Sequence, residues 1–219
     1  ENLNERTLRL IASALHKLGY DELTLFYETN KLSSTIQDLI KNLLLGFVVI
    51  DQTNKKCVLK SVSNDLDTEF DSTLRRAFLV SLSLANSSLE VISSKDFSHL
   101  QSLINLERSN NQLTSFCLRL MNKGFYKEKE KKIFLATIIW NLEKIADEYK
   151  EICIVLSDNK EEFNIEILNL YKEVNILFNN YYDLIYKFSL EKMDNLANKK
   201  SEIIEKAILI NPKTKDETK

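Results

Sequence analysis

Apolar residues repeat with two rhythms along this chain. Before residue 64, stretches with a spacing of three to four alternate with stretches that repeat every second residue. Beyond it the three-to-four spacing holds almost to the end. Asn4 is placed to cap a helix to about Leu18, with Leu8, Leu10, Ile11, Ala14 and Leu15 on one face and Gly19 as its stop. Glu22 to Tyr27 alternates, Leu23, Leu25 and Tyr27 against Thr24 and Phe26, and reads as a strand. A second helix opens at Ser33 or Ser34, turns Ile36, Leu39, Ile40, Leu43 and Leu44 inward, and ends at Gly46. Phe47 to Gln52 and Lys56 to Val62 flank the turn Thr53-Asn54-Lys55 as two further strands. The expectation for 1–64 is an α-β-α-β-β unit, a small three-stranded sheet with helices on one face, serving as a connector or dimerisation module.

Helices fill the rest. One capped at Asp67 or Thr68 reaches Val91 with Phe70, Leu74, Phe78, Leu82, Ala85 and Leu89 inward, and breaks at Ser93-Ser94. The next begins at Asp96 and ends near Asn122. A third runs from about Tyr126 to Leu156, with the tract Lys127 to Lys132 as its solvated, charged start. After a turn at Ser157-Asp158-Asn159, an aromatic-rich helix covers Phe163 to Leu190, and a last one Glu191 to about Ile208. Its stripe of Tyr171, Phe178 and Tyr182 with Leu168, Val174 and Ile185 reads as core or interface. Pro212 and the polar residues after it read as a frayed tail. The fold class is α+β, mostly α: the 1–64 unit, an antiparallel helical bundle over 65–210, and a tail over 211–219.

Composition sharpens this picture. Three Gly and one Pro in 219 residues leave few breakers, which favours long helices. A net charge of −2 gives no bulk attraction to nucleic acid or to an anionic membrane. No run of 18 apolar residues predicts a membrane span, and no signal peptide is visible. Cys57, Cys117 and Cys153 are odd in number and far apart, which suits reduced, buried thiols in a cytoplasmic protein. The chain opens at Glu1 without a Met and is helical within a few residues, so a segment missing in front is expected.

Candidate chemistry concentrates between Ile104 and Tyr149. Two long helical patterns flank Asn122-Lys123-Gly124, and each carries an acidic residue followed four positions later by another oxygen: Glu107 with Asn111, Glu143 with Asp147. Residues four apart stand one turn above each other, and helices joined by a short turn pack antiparallel. If the two faces meet, four oxygens converge on a hard divalent ion or iron. The bland alternative is a salt-bridged surface, with Arg108 and Lys144 pairing with the carboxylates. Asp194–Asn198 and Glu191–Asn195 repeat the spacing without a convincing partner pair. His16 and His99 are isolated, no Glu-x-x-His pair builds a di-iron centre, and no nucleophile sits in a catalytic motif. No basic patch interleaves with aromatics as a nucleic-acid surface would. The chain is expected not to be an enzyme.

The run Leu142-Glu143-Lys144-Ile145-Ala146-Asp147 resembles the helix end of the PhoU family of phosphate-uptake regulators, with Glu107–Asn111 as the partner motif. Leu45 to Gln52 and Glu69 to Phe78 resemble the archaeal PhoU-like proteins, which often carry an AbrB-like DNA-binding hairpin in front. The resemblance implies two three-helix repeats, of which the second is here short of one helix. It also implies control of phosphate uptake through a transporter or sensor, or through DNA by way of a missing N-terminal domain, with a metal at Glu107, Asn111, Glu143 and Asp147. A homodimer is expected to close the shortened repeat. The competing expectation is a non-catalytic structural and interaction module without metal.

Overall fold

The computed structural model describes residues 4–27, 32–62, 69–159 and 164–216. Asn4 accepts a hydrogen bond from the Thr7 N–H at 2.8 Å and so caps α1 (Glu5–Leu18). Gly19 ends the helix at φ 95°, a left-handed conformation that costs a glycine little. β1 (Glu22–Phe26), β2 (Phe47–Gln52) and β3 (Lys56–Ser61) fall within a residue of the expected strands, whereas α2 (Leu32–Asn42) begins ahead of the expected cap at Ser33 or Ser34 and ends before Leu43 and Leu44, short of Gly46. The sheet order is β1-β3-β2 and both pairings are antiparallel, with Leu23 opposite Leu59 and Phe47 opposite Ser61. Leu8 and Ala12 of α1 and Ile36 and Leu39 of α2 pack with Leu23, Phe47, Cys57 and Leu59 into one buried core. The expected α1 face needs correction: Leu10, Ile11 and Ala14 are exposed, and the buried positions are Leu8, Ala12 and His16.

The helical part holds α3 (Glu69–Ser94), α4 (Leu100–Asn122), α5 (Lys132–Asn159), α6 (Ile165–Tyr186) and α7 (Leu190–Asp216). The fold is therefore α+β, mostly α, a small antiparallel sheet followed by a helical bundle. Several boundaries move. α5 starts six residues later than expected: 125–128 is irregular and Lys129–Lys131 forms a short 3₁₀ turn, because the alternating Lys and Glu there supply no apolar face. α5 then continues through Ser157 to Asn159, where a turn was expected. α6 ends at Tyr186, short of Leu190. α7 runs through Pro212, although that residue has no N–H to donate back into the helix. Caps at Asp67 or Thr68 lie outside the described residues.

The chain forms two compact units, Glu1–Ser81 with Asn105–Asp147, and Leu82–Ile104 with Glu148–Lys219. In the first, the sheet layer shares its unit with the first half of α3, most of α4 and the first half of α5, whose buried residues include Phe70, Leu74, Phe78, Cys117, Leu120, Ile139 and Leu142. In the second, Leu84, Ala85, Leu100, Cys153 and Phe178 are buried, and α7 packs along α6. All three thiols are free and buried. α3 is long and apolar enough to cross a membrane by length and composition, but half of that stretch is buried in protein.

Candidate functional site

The four oxygen-bearing residues singled out by the sequence all lie in the first unit. Glu107 is buried on α4 and accepts a hydrogen bond from the Asn111 amide one turn later. Glu143 lies 3.6 Å from Lys17 Nζ on α1. Asp147 accepts from Lys144 Nζ at 3.3 Å on its own helix. So each intrahelical pair is on one face, as the spacing required. Each oxygen set, however, has an amide or ammonium against it. Lys144 pairs as the salt-bridged alternative foresaw, whereas Arg108 bonds to Asn105 at 3.4 Å. Among the described residues no three His, Cys, Asp or Glu side chains gather where they could hold an ion.

Beside Asn111 opens a polar cleft of about 420 Å³, lined by Arg9, Asp38, Asn42, Leu43 and Arg108. Arg9 bonds to Asp38 at 2.5 Å and to Glu5 at 3.1 Å, and Asn42 donates to Asp38 at 2.5 Å. Burial pushes the Asp38 carboxyl up, but the bonds from Arg9 and Asn42 outweigh it and hold the acid below its usual range. The cleft thus joins α1, α2 and α4 through charges that already satisfy one another.

The residues that sequence reasoning missed are the ones that fasten α4. Arg119 is fully buried, yet its guanidinium donates to the carbonyls of His16 (3.2 Å) and Tyr20 (2.6 Å) and to Asp21 Oδ1 (2.5 Å). It also lies 5.0 Å from the centre of the Phe47 ring. Asn122 donates to the Lys17 carbonyl at 2.8 Å. The last carbonyls of a helix have no partner within it, so the end of α4 serves as the cap for the end of α1. The same helix gives Gln112 to the Lys41 carbonyl at the end of α2 (2.5 Å). It gives Asn110 to Ala77 O (3.1 Å) and Ser81 Oγ (2.6 Å) on α3. His16 is buried beside this strap. Its Nε2–H donates to Leu45 O at 3.0 Å, and its ring meets Phe47 edge-on. Burial lowers its pKa to about 4, so the imidazole is neutral near pH 7.

The second unit has its own polar layer. Tyr149 donates to Asn175 Oδ1 at 2.7 Å, and the Asn175 amide donates to Ala85 O at 2.7 Å. Ser88 donates to the same carbonyl at 2.9 Å and shares a hydrogen bond with Tyr171 Oη at 2.8 Å. Burial pushes both phenols above their ordinary range. The thiols are raised by burial as well, Cys153 to about 11, which removes them as nucleophiles at neutral pH. Comparison with protein-family models, with curated proteins and with solved structures found no match.

Proposed function

We propose that the chain is a non-catalytic regulatory module that works through its surfaces. The observation that carries this is how its buried polar groups are used. Arg119, His16, Asn110 and Asn175 each bind helix or loop carbonyls, and the buried thiols and imidazole are held in neutral forms. Polar side chains placed in this way fix helices against one another and offer no poised acid, base or nucleophile. The PhoU resemblance supplies the process: control of phosphate uptake through a protein partner such as a transporter or sensor component. A homodimer belongs to the same reading.

Deleting the gene in its own host and measuring phosphate uptake at high and low external phosphate tests this. Altered uptake, restored by the intact chain, is expected; unchanged uptake at both levels removes the phosphate reading. A carboxylate ion site is the second reading, favoured by the pairing of Glu107 with Asn111 on a buried face. Metal content of the purified chain decides it. A stoichiometric ion lost in Glu107→Ala with Glu143→Ala supports the site; equal content in both proteins removes it.

A further inference from the structure

The first three turns of α5 present large apolar side chains to solvent. Ile133 is 83% exposed, Phe134 62% and Trp140 61%. Ile133, Thr137, Trp140 and Lys144 follow helical spacing, with Phe134 beside them, so they form one outward stripe about 16 Å long. The inward stripe of the same helix, Ile138, Ile139, Leu142 and Ala146, is buried. The outward stripe is therefore surplus to the core. Ile133, Phe134 and Trp140 thus make a small exposed apolar patch on this helix.

Charge indicates what covers it. The tract leading into the first residue of α5 holds four Lys (127, 129, 131, 132) against two Glu (128, 130), an excess of two positive charges in a chain whose net charge is −2. Lys131 pairs with Glu128, and Lys132 donates to the Met121 carbonyl at 2.9 Å. Lys127 and Lys129 are exposed and make no ion pair among the described residues. At the other end of the stripe, Lys144 is exposed and paired with Asp147, so the unpaired cations are those at the start. Further along, exposed Glu148 and Glu151 limit the patch to the start of the helix. A second copy meeting this face symmetrically would set one Lys tract against another. A surface with anionic headgroups over an apolar boundary matches both the rim and the centre, and Trp, Phe and Lys are the residues that settle there.

We propose that the Lys127–Trp140 face of the first unit docks reversibly on anionic lipid bilayers, with Ile133, Phe134 and Trp140 entering the headgroup boundary and Lys127 and Lys129 meeting the lipid charge. With three apolar side chains the attachment is weak and salt-sensitive. It goes beyond the regulatory function proposed above and does not depend on it.

Trp140 is the single Trp of the chain, so its emission reads the contact directly. The purified chain is titrated with vesicles of phosphatidylcholine alone and with vesicles containing 30% phosphatidylserine, and co-sedimentation is measured in parallel. The expected result is a blue shift and co-sedimentation with the anionic vesicles only, both reversed by salt. Lys127→Gln with Lys129→Gln should weaken partition on the order of 30-fold, at about fivefold for each cation. Ile133→Ser with Phe134→Ser keeps the reporter and should abolish the shift. Both pairs are at exposed positions, and a thermal melt checks that the variants fold. Equal binding to neutral vesicles, no binding to either kind, or retained binding by the Ile133/Phe134 variant overturns the proposal. So does a blue shift that grows with protein concentration without vesicles, which would assign the face to a second copy.

Discussion

The two units hold their helices together by different chemistry. The first places a charged guanidinium in its interior: Arg119 is fully buried, while its acidic partner Asp21 remains 56% exposed. The second uses neutral groups alone in its polar layer, Tyr149, Asn175, Tyr171 and Ser88. A buried cation loses much hydration, and burial accordingly lowers the Arg119 pKa against the opposing pull of Asp21. The carbonyls of His16 and Tyr20 and the Asp21 carboxylate recover part of that loss by accepting from the guanidinium. Neutral amides and phenols lose less on burial and gain less. The first arrangement should therefore be more costly to disrupt and more sensitive to pH, and the second more tolerant of both.

The largest test is Arg119→Met, which keeps the apolar stem and removes the donors. We expect a loss on the order of 4 kcal/mol in urea unfolding, because three charge-assisted hydrogen bonds go at once: the Tyr20 carbonyl loses this donor, the His16 carbonyl keeps only the Gly19 N–H, and Asp21 loses its buried partner. Asp21→Asn should cost less than about 1 kcal/mol, since that carboxylate is mostly in solvent. If the two cost the same, the ion pair and not the capping holds α1 to α4.

Next is acid. The folded His16 pKa is about 4, against 6.5 in an unfolded chain. As pH falls, the unfolded state takes the proton first. The stabilisation is thus complete above pH 6.5, declines through the window down to about 4, and is then exhausted, a change of about 3 kcal/mol. Hydrogen exchange between pH 7.5 and 4.5 should show the first unit loosening while amides around Tyr149 and Asn175 stay protected. His16→Gln should flatten the dependence. Equal loosening of both units would erase the contrast.

The last test is Asn175→Leu, a substitution of similar size that strands the Tyr149 hydroxyl and leaves the Ala85 carbonyl with Ser88 as its side-chain donor. A destabilisation of about 2 kcal/mol is expected, with no pH dependence between 5 and 8. A loss as large as that of Arg119→Met would show that neutral layers fasten these helices as firmly as the buried cation.

Elements with local causes were readable in the sequence. Asn4 and Gly19 bound α1, and the alternation of Leu23, Leu25 and Tyr27 placed β1, because a cap, a left-handed residue and a two-residue period act within a few positions. The spacing of Glu107 with Asn111 and Glu143 with Asp147 correctly put each pair on one face. What each pair meets depends on other helices, and Lys17, the partner of Glu143, lies over a hundred residues away. Arg119 was overlooked for the same reason. Its one local sign is that it is the sole charge in the run Phe116-Cys117-Leu118-Arg119-Leu120-Met121, where an exposed position would have carried polar neighbours. The faces of α5 had no local sign at all: Ile133, Phe134 and Trp140 are as apolar as Ile138, Ile139 and Leu142, yet the first three are exposed and the last three buried.

The three sequestered thiols supply a built-in clock. Cys57 sits in β3, Cys117 in α4 and Cys153 in the second half of α5, so each is shielded by a different part of the molecule. A thiol-reactive dye can modify one only when its surroundings come apart and the sulfur ionises. Labelling rates resolved by peptide would therefore time the breathing of sheet, strap and neutral layer separately, in the unaltered chain and with no introduced cysteine.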